Sequence, residues 1–403
     1  MRHCDRVEGR GDRGVVACWD RSRAMRGLTL DPDKVPAFCT PEPIVDDAPW
    51  IDVLDYHTAG EPFRIVTGGL PQVPGATVLA KRRFVRDAWD SVRKVLMWEP
   101  RGHFDMYGGL IVEPDRPSAA CGVVFLHNEG TSTMCGHGTI ALGTALVESG
   151  AVPVDGTVTR FGIDAPCGPL EVEARVEASE LDAAREGGRT PRVQEVAFLN
   201  VASFAAAFDV TLEVPGFGEV RFDVGYGGAF YAILPAERLG VTLDPAGTAN
   251  AIRAARAVTE AGRAALRDGG GAAERLGVQH PEGDLAFLYG TILTGPAEDA
   301  SHWDRNLCVF AEGEVDRSPT GSGVSARLAV LAARGVIGVG EELAIESILG
   351  RRSVFRGRIV RTEAWEGRTA VIPEVRGAAF AVARSRLVLQ REDELGRGFL
   401  VPR

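Results

Sequence analysis

The chemistry in this chain concentrates in two short stretches, TMCGHGTIALG (133–143) and DRSPTGSGVSAR (316–327). Each runs from a glycine-bearing turn into an Ala- and Leu-rich segment, as a helix start does. Free N–H groups and the positive end of the helix dipole attract an anion there, and Gly-X-Gly lets a ligand come close to the backbone. In the first stretch Cys135 occupies the opening turn, where a thiol pKa can fall from about 8.5 to about 3.5–7.5. His137 beside it could donate to a carboxylate or relay a proton, or simply face solvent at a helix start. In the second stretch the equivalent place is held by Thr320, a hydroxyl with little reactivity of its own. Asp316 either caps the turn through Ser318 or Gly321, or meets a substrate ammonium. The remaining cysteines (Cys4, Cys18, Cys39, Cys121, Cys167 and Cys308) read as small buried hydrophobes.

An internal repeat positions these residues. Setting Cys135 over Thr320, an offset of 185, aligns MCGHGTIALGTALVESG with PTGSGVSARLAVLAARG. Gly136 falls on Gly321, Gly138 on Gly323, Ala141 on Ala326, Leu146 on Leu331 and Gly150 on Gly335. A weaker echo sets AGEPFRIV (59–66) on GGAFYAIL (227–234). Two matches in the same order imply two copies of one domain, at a spacing too long for a solenoid. Both repeat helices are apolar nearly all round, which marks a buried helix whose N-terminal end alone is free for chemistry. Two such ends facing each other across a cleft would clamp a carboxylate. They would leave Cys135 and Thr320 on opposite faces of whatever is bound.

Around these helices short β-like runs dominate, among them IDVLDY, FRIVT, GGLIVE, CGVVFLH, AFYAILP, DLAFLYGTIL and NLCVFAEG. The pattern predicts helices over 136–149, 246–266 and 321–335. Many strands with few helices make an α+β chain. At 403 residues two domains are expected: a first half over 49–200 and a second over 201–403, with terminal strands returning to the first. Residues 1–48, Arg- and Asp-rich and then Pro-rich, lack a sustained apolar period and read as a flexible extension. A net charge of −10 argues against nucleic acid and anionic membrane surfaces as partners. No run of 18 apolar residues is present to span a bilayer. Seven cysteines without paired CxxC spacing suggest free thiols and a cytoplasmic location. PTGSGVS lacks the Walker lysine, GHGTIALG lacks the strand and acidic residue of a dinucleotide fold, and His57 with Glu61 does not make HExxH. Neither a metal nor a cofactor is expected.

In order along the chain, DYHTAGEPFRIV, EPRGHFDMYGGLIVE, TMCGHGTIALG and CVFAEGEVDRSPTGSGVSAR resemble the signature stretches of the proline racemase family. The likeness runs from about Asp52 to the C-terminus. It implies the diaminopimelate-epimerase-like fold: two pseudo-symmetric halves, each a β-sheet wrapped around a central helix, with the active site in the cleft between them. Racemases and 4-hydroxyproline epimerases of this family use one cysteine from each half as paired acid and base. Here the first is present as Cys135 and the second position holds Thr320, the replacement found in the trans-3-hydroxy-L-proline dehydratase branch. The resemblance further implies Cys135 as α-proton acceptor, with Gly136, His137, Gly321 and Ser322 around the substrate carboxylate. Asp316 would meet the ring ammonium and Phe310 would form a pocket wall. The expected partner is a small molecule, hydroxyproline, and the expected assembly a homodimer.

The replacement has a physical reading. Racemisation needs a base on one face of the α-carbon and an acid on the other, and a threonine hydroxyl holds no proton-accepting state near neutral pH. A carbanion formed at Cys135 must then take its proton back on the same face or expel a group from the β-carbon, and a 3-hydroxyl is such a group. Thr320 thus reads as a switch from isomerase to lyase. Two alternatives are weighed against this: a proline or 4-hydroxyproline racemase or epimerase working with one cysteine, which Thr320 opposes, and a non-catalytic amino-acid-binding protein, which Cys135 opposes.

Overall fold

The computed structural model describes residues 50–401. The expectation of a flexible extension over residues 1–48 lies outside them. The parallel pair Phe230–Pro235 and Leu288–Gly295 is buried along almost its whole length. Such strands carry continuous apolar runs because both faces are covered. Gly168–Arg175, antiparallel to both its neighbours, alternates instead, with Leu170, Val172 and Ala174 turned inward.

The two halves repeat one pairing order. In the first, Glu61–Gly68 runs parallel to Gly108–Val112, which pairs antiparallel with Ala119–Leu126. That strand runs parallel to Val158–Ala165, which pairs antiparallel with Gly168–Arg175 and so leads to Glu195–Leu199. In the second, Phe230–Pro235 runs parallel to Leu288–Gly295, then antiparallel to Asp304–Phe310. Parallel Glu342–Ser347 and antiparallel Gly350–Trp365 and Arg368–Gly377 complete the same series. The halves join edge to edge where Glu195–Leu199 pairs with Arg368–Gly377, and the late strand Ala379–Val388 pairs with Trp50–Thr58.

Each half wraps a central helix, Gly136–Glu148 in the first and Gly321–Ala333 in the second. Every residue from Gly136 to Val147 and from Gly321 to Val330 is buried. One core joins Ile140, Leu142 and Leu146 of the first helix to Val324, Leu328 and Val330 of the second. The second helix also buries a charge: Arg327 donates to Asn306 Oδ1 and Asp304 Oδ1, both at 2.8 Å. Pairing is what makes a buried guanidinium tolerable.

The helix expected over 246–266 is Thr248–Asp268. Four others among the described residues escape the periodicity: Val78–Ala88, Asp90–Met97, Ala178–Glu186 and Gly270–Leu276. Val78–Ala88 shows why, since it buries Lys81 and Arg82 beside Val78 and Val85 and so presents no clean apolar stripe. Arg82 reaches the Thr131 carbonyl at 2.9 Å, and Lys81 the Glu113 carbonyl at 3.2 Å. No helix among the described residues is long and apolar enough to cross a membrane.

The central helices meet start to start. A Cβ added at Gly136 would lie 2.5 Å from Gly321 Cα, and one added at Gly321 would lie 2.8 Å from Gly136 Cα. Alanine ordinarily suits a helix better than glycine by about 1 kcal/mol, whereas overpacking costs about 1–3 kcal/mol. Gly136→Ala and Gly321→Ala should therefore each lower the melting temperature; a higher melting temperature in thermal denaturation would contradict the contact.

Candidate active site

Cys135 is the cap of the first central helix. Its backbone is extended (φ −144°), its Sγ accepts from Gly138 N at 3.2 Å, and its carbonyl accepts from Thr139 N and Oγ1 at 3.0 and 2.7 Å. Thr320 starts the second helix differently. Its φ is +65°, its side chain makes no capping bond, and its Oγ1 is buried without a hydrogen-bond partner. A β-branched residue in this region is strained. The turn before it provides the support: Thr320 N donates to Ser318 Oγ at 3.1 Å, and Ser318 N to Asp316 Oδ1 at 2.7 Å. Asp316 thus caps the turn as one of its two readings expected, while its carboxylate also lines the site.

Cys135, Gly136, His137, Phe310, Asp316, Thr320 and Ser322 all line one cavity between the two helix starts, and Gly321 lies directly against Gly136. The space left is about 10 Å³, enough for a single water. A five-membered ring needs more room than this, so the lining must shift to admit one. His137 does not face solvent: both ring nitrogens lie 3.5 Å from Cys135 Sγ, and Nδ1 lies 3.7 Å from Asp316 Oδ2. Ser322 Oγ is tied to the Tyr231 hydroxyl at 2.7 Å.

The sequence reading missed four residues of the lining: Tyr107, Met134, Tyr231 and Tyr289. The tyrosines carried a usable signal. Tyr107 immediately precedes the strand Gly108–Val112 and Tyr289 is the second residue of its counterpart Leu288–Gly295, each followed by glycine, in MYGGLIV and LYGTILT. Their hydroxyls meet across the cleft at 3.3 Å.

Electrostatics correct one expectation. Burial pushes the Cys135 thiol well up rather than down, with Asp316 and Glu61 adding to the rise and the Gly138 N–H opposing it. The capping bond to one amide is outweighed by the loss of water and by nearby carboxylates. Burial would also raise Asp316, but His137 and Ser318 more than offset it and hold its carboxyl below the usual range. Burial raises Glu61 and Glu314, which stand behind the site on the two halves. Glu61 Oε2 accepts from Arg317 N at 2.7 Å, and Glu314 Oε2 from Asn128 N at 3.1 Å, so each carboxyl fastens one half to the other. His127, behind the aromatic wall, is pushed down to about 3 by burial and by Arg93, Arg82 and Arg263.

Two like halves, a pair of abutting helix starts and a thiol, imidazole and carboxylate gathered between them make this a protein of the diaminopimelate-epimerase-like fold. Within that class the chain belongs to the proline racemase family, which residues 53–400 match. A human trans-3-hydroxy-L-proline dehydratase is 44% identical over 358 residues, 88% of this chain and 95% of the relative. A 3-hydroxyproline 2-epimerase from Burkholderia multivorans is 41% identical over 352 residues, 87% of this chain and 98% of the relative. A crystal structure of a probable proline racemase from Agrobacterium radiobacter, with bound carbonate, superposes with a TM-score of 0.77 at 28% identity, covering 87% of this chain and 96% of that one.

The raised thiol fixes the sign of the pH dependence. If Cys135 is the base, its thiolate accumulates only as pH rises through the elevated pKa, so kcat/KM should climb beyond the ordinary thiol value of about 8.5. A bound ammonium beside Asp316 would cancel part of the negative charge that raises Cys135, so the kcat profile should turn over at lower pH than that of kcat/KM. Steady-state pH profiles check both; a kcat/KM plateau reached below pH 7 would contradict them.

Proposed function

We propose that this protein dehydrates trans-3-hydroxy-L-proline to pyrroline-2-carboxylate, with Cys135 as the α-proton acceptor. The observation that carries the reading is the unequal pair facing the cavity, a thiol at Cys135 and a hydroxyl at Thr320. Its support from relatives is the human dehydratase at 44% identity. The substrate carboxylate takes the two helix starts, where the backbone of Gly136 and Gly321 and the side chains of His137 and Ser322 converge. The ring ammonium takes Asp316, whose carboxyl is held ionised, and Phe310 walls the ring.

In the trans isomer the 3-hydroxyl lies opposite the carboxylate and so on the face of the α-hydrogen. Both leave from that face, and the opposite face has no proton to manage. The Cα–H electrons become the C2–C3 double bond, the hydroxyl departs as water, and the resulting enamine shifts to the cyclic imine. Burial keeps the departing groups from solvent and strengthens each polar contact in the site.

A second reading, 2-epimerisation of 3-hydroxyproline, is favoured by the Burkholderia relative. It requires a proton donor on the Thr320 face. Analysis of recovered substrate decides between the readings: dehydration with no inversion at C2 supports the first, and inversion without dehydration the second.

Cys135→Ser should reduce dehydration and α-proton exchange together by about 10²–10⁴-fold, the usual contribution of a positioned base; a variant that dehydrates at near wild-type rate removes Cys135 from the role. Thr320→Cys should add an acid/base group on the silent face, so that proline or 4-hydroxyproline is inverted at C2 in heavy water. Wild-type exchange should proceed with retention only. A variant that dehydrates normally and never inverts would show that Thr320 is not the switch.

A further inference from the structure

Loss of a 3-hydroxyl as water needs an acid, because hydroxide is a poor leaving group, and the substrate stereochemistry confines that acid to the Cys135 face. This argument rests on the dehydratase reading. Three tyrosine hydroxyls line the cavity, and their attachments differ. Tyr231 is committed to Ser322 on the start of the second helix. Tyr289 reaches the Tyr107 hydroxyl at 3.3 Å and stacks on Phe310, with ring centroids 5.2 Å apart. Tyr107 belongs to the half that carries Cys135. Its hydroxyl bonds to Ser132 Oγ, and its ring stands edge-on to His137 at 4.9 Å. Tyr107 and Cys135 line the same cavity.

His137 is the obvious competitor, and its position speaks against it. The imidazole sits between Cys135 and Asp316, on the side where the ring ammonium is held. In a proline ring C3 lies across C2 from the nitrogen, so a group held against Asp316 by its nitrogen turns its 3-hydroxyl away from that side. The aromatic wall of Tyr107, Tyr289 and Phe310 lines the same cavity.

We infer that Tyr107 is the general acid that protonates the departing 3-hydroxyl. As Cys135 Sγ takes the α-proton, the C3–O bond breaks and the oxygen leaves with its electron pair and the Tyr107 proton, as water. The Cys135 thiol then passes its proton to the Tyr107 oxygen, which restores thiolate and phenol together. One substrate gives one enamine and one water, with no other reactant. Burial, and after it the Cys135 sulfur, hold the phenol well above its usual pKa, so Tyr107 keeps its proton until the transition state asks for it. Tyr289 supplies a hydroxyl partner to the transient phenolate at 3.3 Å.

The test compares two leaving groups in Tyr107→Phe. With trans-3-hydroxy-L-proline, dehydration should fall by about 10²–10⁴-fold. With trans-3-chloro-L-proline, chloride departs without a proton, and its release should stay near the wild-type rate. That retained turnover also reports a folded site with its base intact. Equal losses on both substrates, or no loss on either, would overturn the assignment. Cys135→Ser run beside it should lose both substrates; if it keeps both, the failure lies in the choice of base and not in Tyr107.

Discussion

The contact on which the rest depends is that of Gly136 with Gly321. With no side chains between them, two buried helices bring their N-terminal turns together at the centre of the molecule, and each Cβ that is missing there would strike the opposite backbone. Because every residue of the first turns is buried on the remaining sides, the helices cannot slide apart to make room without disturbing the core that joins Ile140 and Leu142 to Val324 and Leu328. Both helix starts thus border one small volume. An anion placed there meets two helix ends at once, and a neutral or cationic group meets none of the same benefit.

Enclosure sets the chemistry of that volume. Water is nearly excluded, so each ionisable group is governed by its neighbours. Asp316 stays ionised because His137 and Ser318 face it, while Glu61 and Glu314, with weaker support, are raised. The Cys135 thiol is raised as well, so its thiolate is scarce until a cation compensates Asp316. Under the proposed dehydration, reactivity is coupled to substrate charge: an ammonium placed at Asp316 would also favour the thiolate of Cys135. Glu61 and Glu314 bind backbone amides across the halves, so the same carboxyls that shape the local field also hold the cleft shut.

The two halves repeat one fold but not one chemistry. Cys135 caps its helix in relaxed extended backbone, whereas Thr320 occupies a strained position at φ +65° with an unpaired hydroxyl. The tyrosines follow the same division. Tyr107 bonds to Ser132 in the half that carries Cys135, and Tyr231 is tied to Ser322 at the start of the second helix. A duplicated scaffold supplies two like helix starts, and the side chains on them are unequal, which is what the proposed one-sided proton transfer requires.

By itself the sequence determined the elements with strong local signals. The Gly-X-Gly starts, the apolar helices behind them and the offset that superposes Cys135 on Thr320 are all one-dimensional patterns; they led to two like halves, and with the family resemblance to the fold and to seven residues that line one cavity. Helices that bury Lys81 and Arg82 escaped, because their apolar stripe is interrupted by charges whose partners are distant carbonyls. Only the tertiary structure decided the sense of the thiol's pKa, since a helix start lowers it and burial beside Asp316 raises it, and the balance depends on groups far apart in the chain. The meeting of Tyr107 with Tyr289 is of the same kind: 182 residues separate them, and only closure of one half on the other brings the hydroxyls within 3.3 Å.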